Sequence, residues 1–539
     1  DPAGSAAVAD PAGSAAVADP AGSAAVADPA TGQARPSGRA ARELVIQGFV
    51  ITNCLLLSAA AFSYRRRAWR PARRPRRGLA AGAPAGRRPG DRWRSWTDLL
   101  RYGPVARAAR SRWYPGVARV PVAAGFGLVA YELLRGPRTA SANPGSMLMW
   151  LLWWPALPVL LLLTGRFWCA VCPFGTISDV VHRVVGVESG VPRLLRTAGV
   201  WVVDAQFLAI TWADHVWGIV GSPWGSAVLL MALTSAVVVS GAFLPRRAFC
   251  RYLCFLGGLC GNYARAGIVE LRTHRAGCRG CIGSAPCCHG TAAVAGCPLF
   301  AVPPAGDTAG VCALCGQCLR TCPRDAIGVH LRPPFAGLWS VRRPQLEQSV
   351  LAMGIMGVVL VQNLCEVPGW RSWLTRTSAA LGWPVLAVFT VTFAVTISLP
   401  VVLLVAASAV MGRTAGGGIR VHLTRFGYAL IPLDVAAFVA HTQADALGHG
   451  RDLYRSVARL VGAHPTAVAP ALAAPGTIRT VQWCLIIAGT AAALYVTWRI
   501  LGRRYRAGRQ RRAGLLTFGS LVVLLAALNL ALFAVPAPA

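Results

Sequence analysis

The sequence predicts a mainly α-helical, polytopic membrane helix bundle of about ten spans, with a small α+β domain inserted between them. Of the 539 residues 55% are apolar and the mean hydropathy is +0.50, which is too apolar for a soluble protein of this size. Several windows reach the roughly 18 to 20 apolar residues that a bilayer span requires. A cysteine-rich segment at 271–335 separates two groups of these windows and is predicted to form the inserted domain.

Three regions precede the second predicted span. Residues 1–43 form a tail that begins with three copies of the nonapeptide DPAGSAAVA, whose small side chains cannot bury enough surface to fold, so we expect disorder. Residues 44–64 are the first predicted span. Residues 65–116 form an arginine-rich loop, which we expect on the cytoplasmic side as a determinant of membrane topology.

The other predicted spans lie on either side of the inserted domain. Residues 117–270 contain membrane helices with two cysteine motifs at the membrane edge, and residues 346–534 contain the C-terminal membrane helices. In chain order the predicted spans are 117–134, 146–163, 198–220, 224–244, 346–366, 381–411, 426–447, 480–500 and 514–534.

The charge of the chain is strongly unbalanced. Its 54 basic residues, all of them arginine, stand against 20 acidic residues and give a net charge of +34. The positive-inside rule places both termini outside and every clustered cysteine on the cytoplasmic side of the cell membrane. Such a charge can also attract nucleic acid, but arginine runs beside spans more often lie on anionic headgroups, so we do not expect nucleic-acid binding.

The most specific motif is C-x2-C-x2-C-x3-C-P, which begins at Cys312 and ends at Cys322-Pro323. With this spacing a short loop and a helical turn bind a [4Fe–4S] cluster, and the fourth cysteine points toward a second cluster. We therefore predict two clusters with crossed ligation in a ferredoxin-like insert. The partner set is Cys278, Cys281, Cys287 (or Cys288) and Cys297-Pro298. The predicted ligands are Cys278, Cys281, Cys287 and Cys322 for one cluster, and Cys297, Cys312, Cys315 and Cys318 for the other.

A structural zinc site is the alternative for these cysteines, because C-x2-C pairs also occur in zinc ribbons. Two sets that each end in Cys-Pro follow the ferredoxin order instead. The chain has 17 cysteines, and their clustering in a long membrane protein favours metal ligation in a reducing compartment over disulfide bonds.

Two further cysteine pairs lie where predicted spans reach the cytoplasmic face. One is Cys169 and Cys172-Pro173, and the other is Cys250 and Cys254. On neighbouring antiparallel helices the four thiols could form a third metal centre or a redox-active thiol set. The alternative is that they are free thiols at helix ends in a reducing cytosol.

The remaining candidates are single residues. Cys260 and Cys288 are spare thiols, and three thiols inside apolar spans are interpreted as small core residues: Cys54, Cys365 and Cys484. Ionisable residues at bilayer depth are often functional, so a haem ligand, a quinone-site base or a proton path is one interpretation of three residues near the span at 426–447, and an interfacial or hydrogen-bonded role is the other. These residues are His422, Asp434 and His441.

The order of two membrane-proximal motifs, a two-cluster insert and further spans resembles the membrane polyferredoxins of the NosR/NapH type, which include relatives linked to cytochrome oxidase assembly. The resemblance covers roughly residues 146–366, and its most specific parts are Gly165–Gly175, Arg247–Gly257 and Cys278–Pro333. It implies Cys287 rather than Cys288 as a cluster ligand. The family's membrane motif is usually C-x3-C-P, and the motifs here depart from it.

Two [4Fe–4S] clusters on a membrane anchor predict a protein that passes electrons between a membrane or soluble donor and a partner. The expected partners are the membrane and a redox protein or quinone, and we expect an electron carrier rather than a stand-alone enzyme. One alternative is a metal or disulfide reductase that works at the face of Cys169, Cys172, Cys250 and Cys254. Another is an iron–sulfur redox sensor with the arginine loop as its output surface.

Overall fold

The computed structural model describes residues 45–48, 51–53, 97–187, 190–274, 278, 281, 285–291, 293–301, 309–341, 343–463 and 471–535. The chain divides into two units, 1–58 and 59–539, and the described stretches of the first unit are helical. The predicted tail at 1–43, Cys54 and the arginine-rich stretch 65–96 lie outside the described residues.

The first part of the second unit is helical. Short 3₁₀ turns at Leu99–Arg101 and Ala140–Ala142 precede α1 and α3, and α3 is π-helical over Met147–Trp153. In chain order the helices are α1 (Gly103–Arg110), α2 (Gly116–Arg135), α3 (Pro144–Thr164), α4 (Phe167–Val171), α5 (Pro173–Val185), α6 (Arg193–Trp217), α7 (Pro223–Phe243), α8 (Ala248–Tyr252) and α9 (Phe255–Ala266).

The insert after α9 contains two strands and two short helices. In chain order these are β1 (Val269–Thr273), α10 (Pro286–His289), α11 (Gln317–Thr321) and β2 (Ile327–Leu331). The strands pair antiparallel, with Val269 opposite Leu331 and Thr273 opposite Ile327. Residues 97–114, which the sequence assigned to a loop, pack against this domain, and the Leu331 amide donates to the Thr97 carbonyl at 2.9 Å.

The rest of the unit is again helical, and α13 and α16 are its most buried spans. Their side chains form most of the main apolar core, together with parts of α15, α18 and α19. In chain order the helices are α12 (Ala336–Trp339), α13 (Leu346–Cys365), α14 (Trp370–Leu381), α15 (Val385–Ala415), α16 (Ile419–Gly448), α17 (Gly450–Leu460), α18 (Pro475–Arg504) and α19 (Gly508–Ala534).

Nine helices of the described residues are long and apolar enough to cross a membrane, and each coincides with a predicted span. They are α2, α3, α6, α7, α13, α15, α16, α18 and α19. The ends differ by a few residues: α6 ends at Trp217 rather than 220, because Gly218 adopts a left-handed φ of 63° as its C-cap. The protein is therefore a mainly helical membrane protein.

Both cysteine motifs and the insert lie at one end of the bundle, which we call the insert face. Spans α3 and α7 end there, and α13 begins there. The short segments that follow α3 and α7 pack on the insert. Capping fixes where α3 and α7 begin at the opposite end. The Asn143 side chain accepts from the Ser146 amide at 3.0 Å, the Ser222 hydroxyl accepts from the Gly225 amide at 3.1 Å, and a proline follows each cap.

Candidate functional site

The paired strands of the insert bring its two cysteine sets to one end. Thr273 is the last residue of β1 and lies opposite Ile327, the first residue of β2. The chain therefore leaves β1 toward Cys278 at the same end where it arrives from Cys322. The His274 amide donates to the Ala326 carbonyl at 2.8 Å and extends this pairing by one step.

The first thiol set is brought together across the insert. Burial, and then the neighbouring Cys322 and Cys281 thiols, raise the pKa of Cys278. Burial and the same Cys322 thiol raise the pKa of Cys287 to about 11. By contrast, the pKa of Cys288 is raised by burial alone, with Arg251 opposing it. The structure thus places Cys287, and not Cys288, beside Cys278 and Cys322.

The second thiol set lines one small cavity. Burial, then Cys315, and further Cys297, raise the pKa of Cys312 to about 12. The cavity has a volume of ≈20 Å³, and all four predicted ligands of the second cluster contribute to its wall: Cys297, Cys312, Cys315 and Cys318. The four cysteines thus lie around one cavity, as the four thiolate ligands of a [4Fe–4S] cluster must.

Backbone amides also point at the sulfurs of the insert. The Leu314 amide donates to Cys312 Sγ and the Ala326 amide donates to Cys322 Sγ, each at 3.3 Å. The first of these needs an unusual backbone, because Leu314 adopts a left-handed φ of 53°. The Tyr114 hydroxyl donates to the Leu314 carbonyl at 2.8 Å and holds this turn from outside the motif. Amide donors to sulfur are a feature that tunes iron–sulfur sites.

Among the described residues, no group of three or more His, Cys, Asp or Glu side chains converges on a point that one metal ion could occupy. A structural zinc ion requires four ligands around one point, whereas the four ligands of a [4Fe–4S] cluster bind four separate irons.

The membrane-edge thiols converge from two segments that are far apart in sequence. Helix α5 packs against α7, and α9 packs against α3, so the helix after each motif contacts the span before the other motif. Burial, then Cys250 and Cys169, raise the pKa of Cys172 to about 12. Burial, then Cys250, Cys172 and Cys169, raise the pKa of Cys254. The four thiols are thus mutual neighbours.

Cys260, which the sequence left as a spare thiol, belongs to this group. It lies beside Cys169, and this neighbour, with the Arg166 charge, outweighs burial and lowers the pKa of Cys169. Cys260 lies on α9, two turns after Cys254, and is almost fully buried. No cysteine spacing marks it, because its approach to Cys169 depends on the packing of α9 against α3.

A buried carboxylate pairs with three arginines beside the first motif. Asp179 on α5 accepts from Arg247 Nη2 at 2.8 Å, from Arg246 Nε at 2.8 Å and from Arg119 Nη1 at 3.1 Å. Arg247 and Arg119 also donate to the backbone of the motif, at the carbonyls of Cys169 (3.0 Å) and Ala170 (2.9 Å) respectively. One negative charge therefore faces three positive charges, and the excess positive charge lies beside the thiols.

The sequence analysis did not identify the buried arginine that precedes each membrane-edge motif, although the sequence contains a signal for it. An arginine precedes the first cysteine of each motif by three residues, as Arg166 before Cys169 and Arg247 before Cys250. Both arginines are buried, at 6% and 0% exposure. Burial of an arginine requires a partner for its charge, so the repeated spacing is a mark of the site.

A large cavity extends from the membrane-edge thiols through the bundle. Its volume is ≈790 Å³, within the range of ligand pockets, and most of its wall is apolar or aromatic. At the insert face Trp168, Cys172 and Phe174 line it. At the opposite face its lining is polar and includes Asp214, His215, Glu366, His441 and Asp445.

The other single-residue candidates occupy different environments. Both ring nitrogens of His422 are engaged, with the Gly416 carbonyl at 2.9 Å and the Tyr505 hydroxyl at 3.1 Å, which favours a structural role over haem ligation. His441 lines the cavity, with Nδ1 2.8 Å from Asn363 Oδ1. Asp434 is fully buried beside Tyr263. Cys365 lies in the cavity wall, and Cys484 is exposed on the bundle surface.

Comparison with known proteins supports the iron–sulfur interpretation. Residues 146–192 and 226–271 match a family model described as a 4Fe-4S binding domain. These two segments carry the membrane-edge motifs, each with a membrane span before it. No curated protein and no solved structure matches the chain.

Fold and site together define a membrane-bound iron–sulfur protein with [4Fe–4S] binding segments. The resemblance to the NosR/NapH type stays a prediction.

Proposed function

We propose that the protein is a membrane-anchored electron-transfer protein whose three thiol sets hold three [4Fe–4S] clusters in a row. The observation that carries this proposal is the contact between successive sets. Cys287 and Cys322 of the first set share an apolar cluster with Cys312 and Cys318 of the second. A second apolar cluster joins Cys297 and Cys315 to Cys169 and Cys250 at the membrane edge.

Bound clusters would supply one-electron transfer, and the residues of the chain set the conditions for it. Leu271, Leu319 and Ile327 exclude water between the first two sets, and Ala170 and Leu299 do so between the second set and the membrane edge. Low solvent exposure and amide donors to sulfur both influence the reduction potential of such a site. The chain thereby provides a water-excluded path for electrons from the insert to the bundle.

The third centre is supported by charge as well as by the family match. Four cysteine thiolates around a cluster form an anionic group, and the surplus of arginine beside Cys169 offers its counter-charge. In the alternative of free thiols, only Cys169, whose pKa is lowered, offsets that positive charge. A third cluster therefore accounts for both the thiols and the arginines.

The iron content of anaerobically purified protein tests the number of clusters. We expect about twelve iron atoms and as many acid-labile sulfides per chain, falling to about eight in the Cys172→Ser variant. Cys484→Ser, at an exposed position away from all three sets, serves as the matched control and should keep the wild-type content. Absence of any iron–sulfur signal in the electron paramagnetic resonance spectrum after dithionite reduction would exclude the proposal.

We also propose that the membrane-side partner is a lipophilic electron carrier of the quinone class. The ≈790 Å³ cavity supports this, because it is mostly apolar and reaches Trp168 and Cys172 of the first motif. Ionisable groups suited to proton exchange line its other end, among them Glu366, His441 and Asp445. A carrier that gains or loses protons with its electrons requires such groups.

Filling the cavity tests this partner. Leu229 lines the cavity, whereas its neighbour Val228 is 40% exposed on the outer surface of α7. We expect Leu229→Trp to slow cluster reduction by a short-chain quinol at least tenfold, with Val228→Trp as the control that does not. Equal rates in both variants, with dithionite reduction intact, would contradict the quinone proposal and leave the cluster proposal standing.

A further inference from the structure

Arg166 connects the membrane-edge thiols to the insert. Its Nη1 donates to the Gly310 carbonyl at 2.7 Å, two residues before Cys312, and its Nη2 lies 3.6 Å from Cys169 Sγ. The side chain is nearly inaccessible and also contacts α9, where Gly257 and Gly261 present only hydrogen to the guanidinium. One cation is thus held between two of the three thiol sets.

The charge of Arg166 has no carboxylate counter-ion within the described ranges. Arg247, its counterpart before the second motif, forms a bidentate salt bridge with Asp179. Arg166, by contrast, makes no ion pair with any described Asp or Glu. A buried cation without an anion is expensive in a low-dielectric interior. The nearest groups able to carry negative charge are the thiols of Cys169, Cys254 and Cys260.

We propose that Arg166 is a positioning residue that sets the reduction potential of the membrane-edge centre. The inference rests on the proposed third cluster and goes beyond it by assigning the residue that tunes it. One added electron makes a cluster with its four thiolates one unit more negative, which a neighbouring cation favours. The Gly310 carbonyl holds the guanidinium in place, so the docked insert keeps the charge beside Cys169.

The test compares two variants that separate charge from shape. Arg166→Gln removes the positive charge, and Arg166→Lys retains it while losing the planar fork of the guanidinium. Arg272→Gln is the control, because Arg272 is 52% exposed on β1 of the insert and pairs with Glu270, so it carries the same charge away from the membrane edge. The measurement is a redox titration followed by electron paramagnetic resonance, with iron content determined on the same samples.

We expect Arg166→Gln to lower the midpoint potential of the membrane-edge centre by at least about 59 mV. This corresponds to a tenfold decrease in the equilibrium constant for its one-electron reduction. Arg166→Lys should keep most of the wild-type potential, and Arg272→Gln should leave it unchanged. Loss of the third centre in Arg166→Gln with retention in Arg166→Lys would also support the charge role.

Three results overturn the inference: an unchanged potential in Arg166→Gln, an equal shift in Arg166→Lys, or loss of the centre in both variants. The last two would show that the shape of the side chain matters and its charge does not. A wild-type protein with about eight irons and no third signal would instead refute the third cluster itself. The wild-type titration therefore distinguishes failure of the proposed function from failure of the Arg166 assignment.

Discussion

Replacing Asp179 with asparagine tests whether one buried carboxylate holds the two membrane-edge motifs together. Asp179 is 3% exposed and accepts from three arginines on α2 and on the segment before α8. Asparagine keeps the size of the side chain but removes its charge. Arg247, at 0% exposure, would then lie next to two other arginines without a carboxylate among the described residues.

The size of the effect follows from the pKa of Asp179. Burial raises this pKa, but Arg247 and Arg246 outweigh burial and lower it from 3.8 to about 2. At about 1.4 kcal/mol per pKa unit this corresponds to roughly 2.5 kcal/mol of stability at neutral pH. Breaking a buried ion pair on one side typically costs about 3 to 5 kcal/mol. We therefore expect Asp179→Asn to lose about 2 to 5 kcal/mol of the free energy of unfolding.

The pH dependence of the effect has a definite sign. The pKa of Asp179 is lower in the folded state, so its contribution is fully present above the unfolded value of about 3.9 and is lost as the pH falls through about 2. The difference in stability between wild type and Asp179→Asn should therefore be constant from about pH 5 to 8. It should shrink as the pH is lowered below about 4.

The assay is equilibrium unfolding in detergent micelles at several pH values, with Asp325→Asn as the matched control. Asp325 pairs with Arg110, but the two side chains are 45% and 37% exposed, so its loss should cost less than about 1 kcal/mol. Equal losses in the two variants would refute the view that the Asp179 network holds the motifs. A difference that persists unchanged at the acid end would refute the assigned protonation.

Three further outcomes are expected. Gly357→Ala should destabilise the bundle by about 1 to 3 kcal/mol in the same unfolding assay, because a Cβ there would lie 2.6 Å from the backbone of Ile397. Iron content should fall by about four atoms per chain in Cys287→Ser and stay unchanged in Cys288→Ser, and the reverse would show that the neighbouring thiol is the ligand. Chelation of iron should make the insert at 269–331 more sensitive to limited proteolysis, and equal cleavage before and after chelation would argue against clusters as its structural support.

The sequence predicted those parts of the protein that depend on neighbouring residues. Apolar length alone located α2 and α16, because a bilayer imposes one minimum length on every span. The motif from Cys312 to Cys322 carried the cluster prediction, since its cysteines are so close in sequence that their spacing sets their geometry. Helix ends were less well predicted, as at Trp217, where the conformation of one glycine decides the boundary.

Other features were not predictable, because they depend on contacts between distant segments. The 97–114 segment was assigned to a loop on charge, yet its backbone pairs with the end of β2. The role of Cys260 also depends on a contact that no local pattern encodes. The cavity arises between six spans, and no single span shows it.

The sequence by itself determined that the chain crosses a membrane and carries thiols spaced for [4Fe–4S] clusters, because hydrophobic length and short-range spacing are properties of consecutive residues. Tertiary structure alone decided that Cys169 and Cys172 meet Cys250 and Cys254, and that Arg166 reaches Gly310. These contacts join segments about 80 to 140 residues apart, so they exist only once α5 packs on α7 and α9 packs on α3. Burial then gives the few charges at that junction their influence, because the surrounding protein has a low dielectric constant.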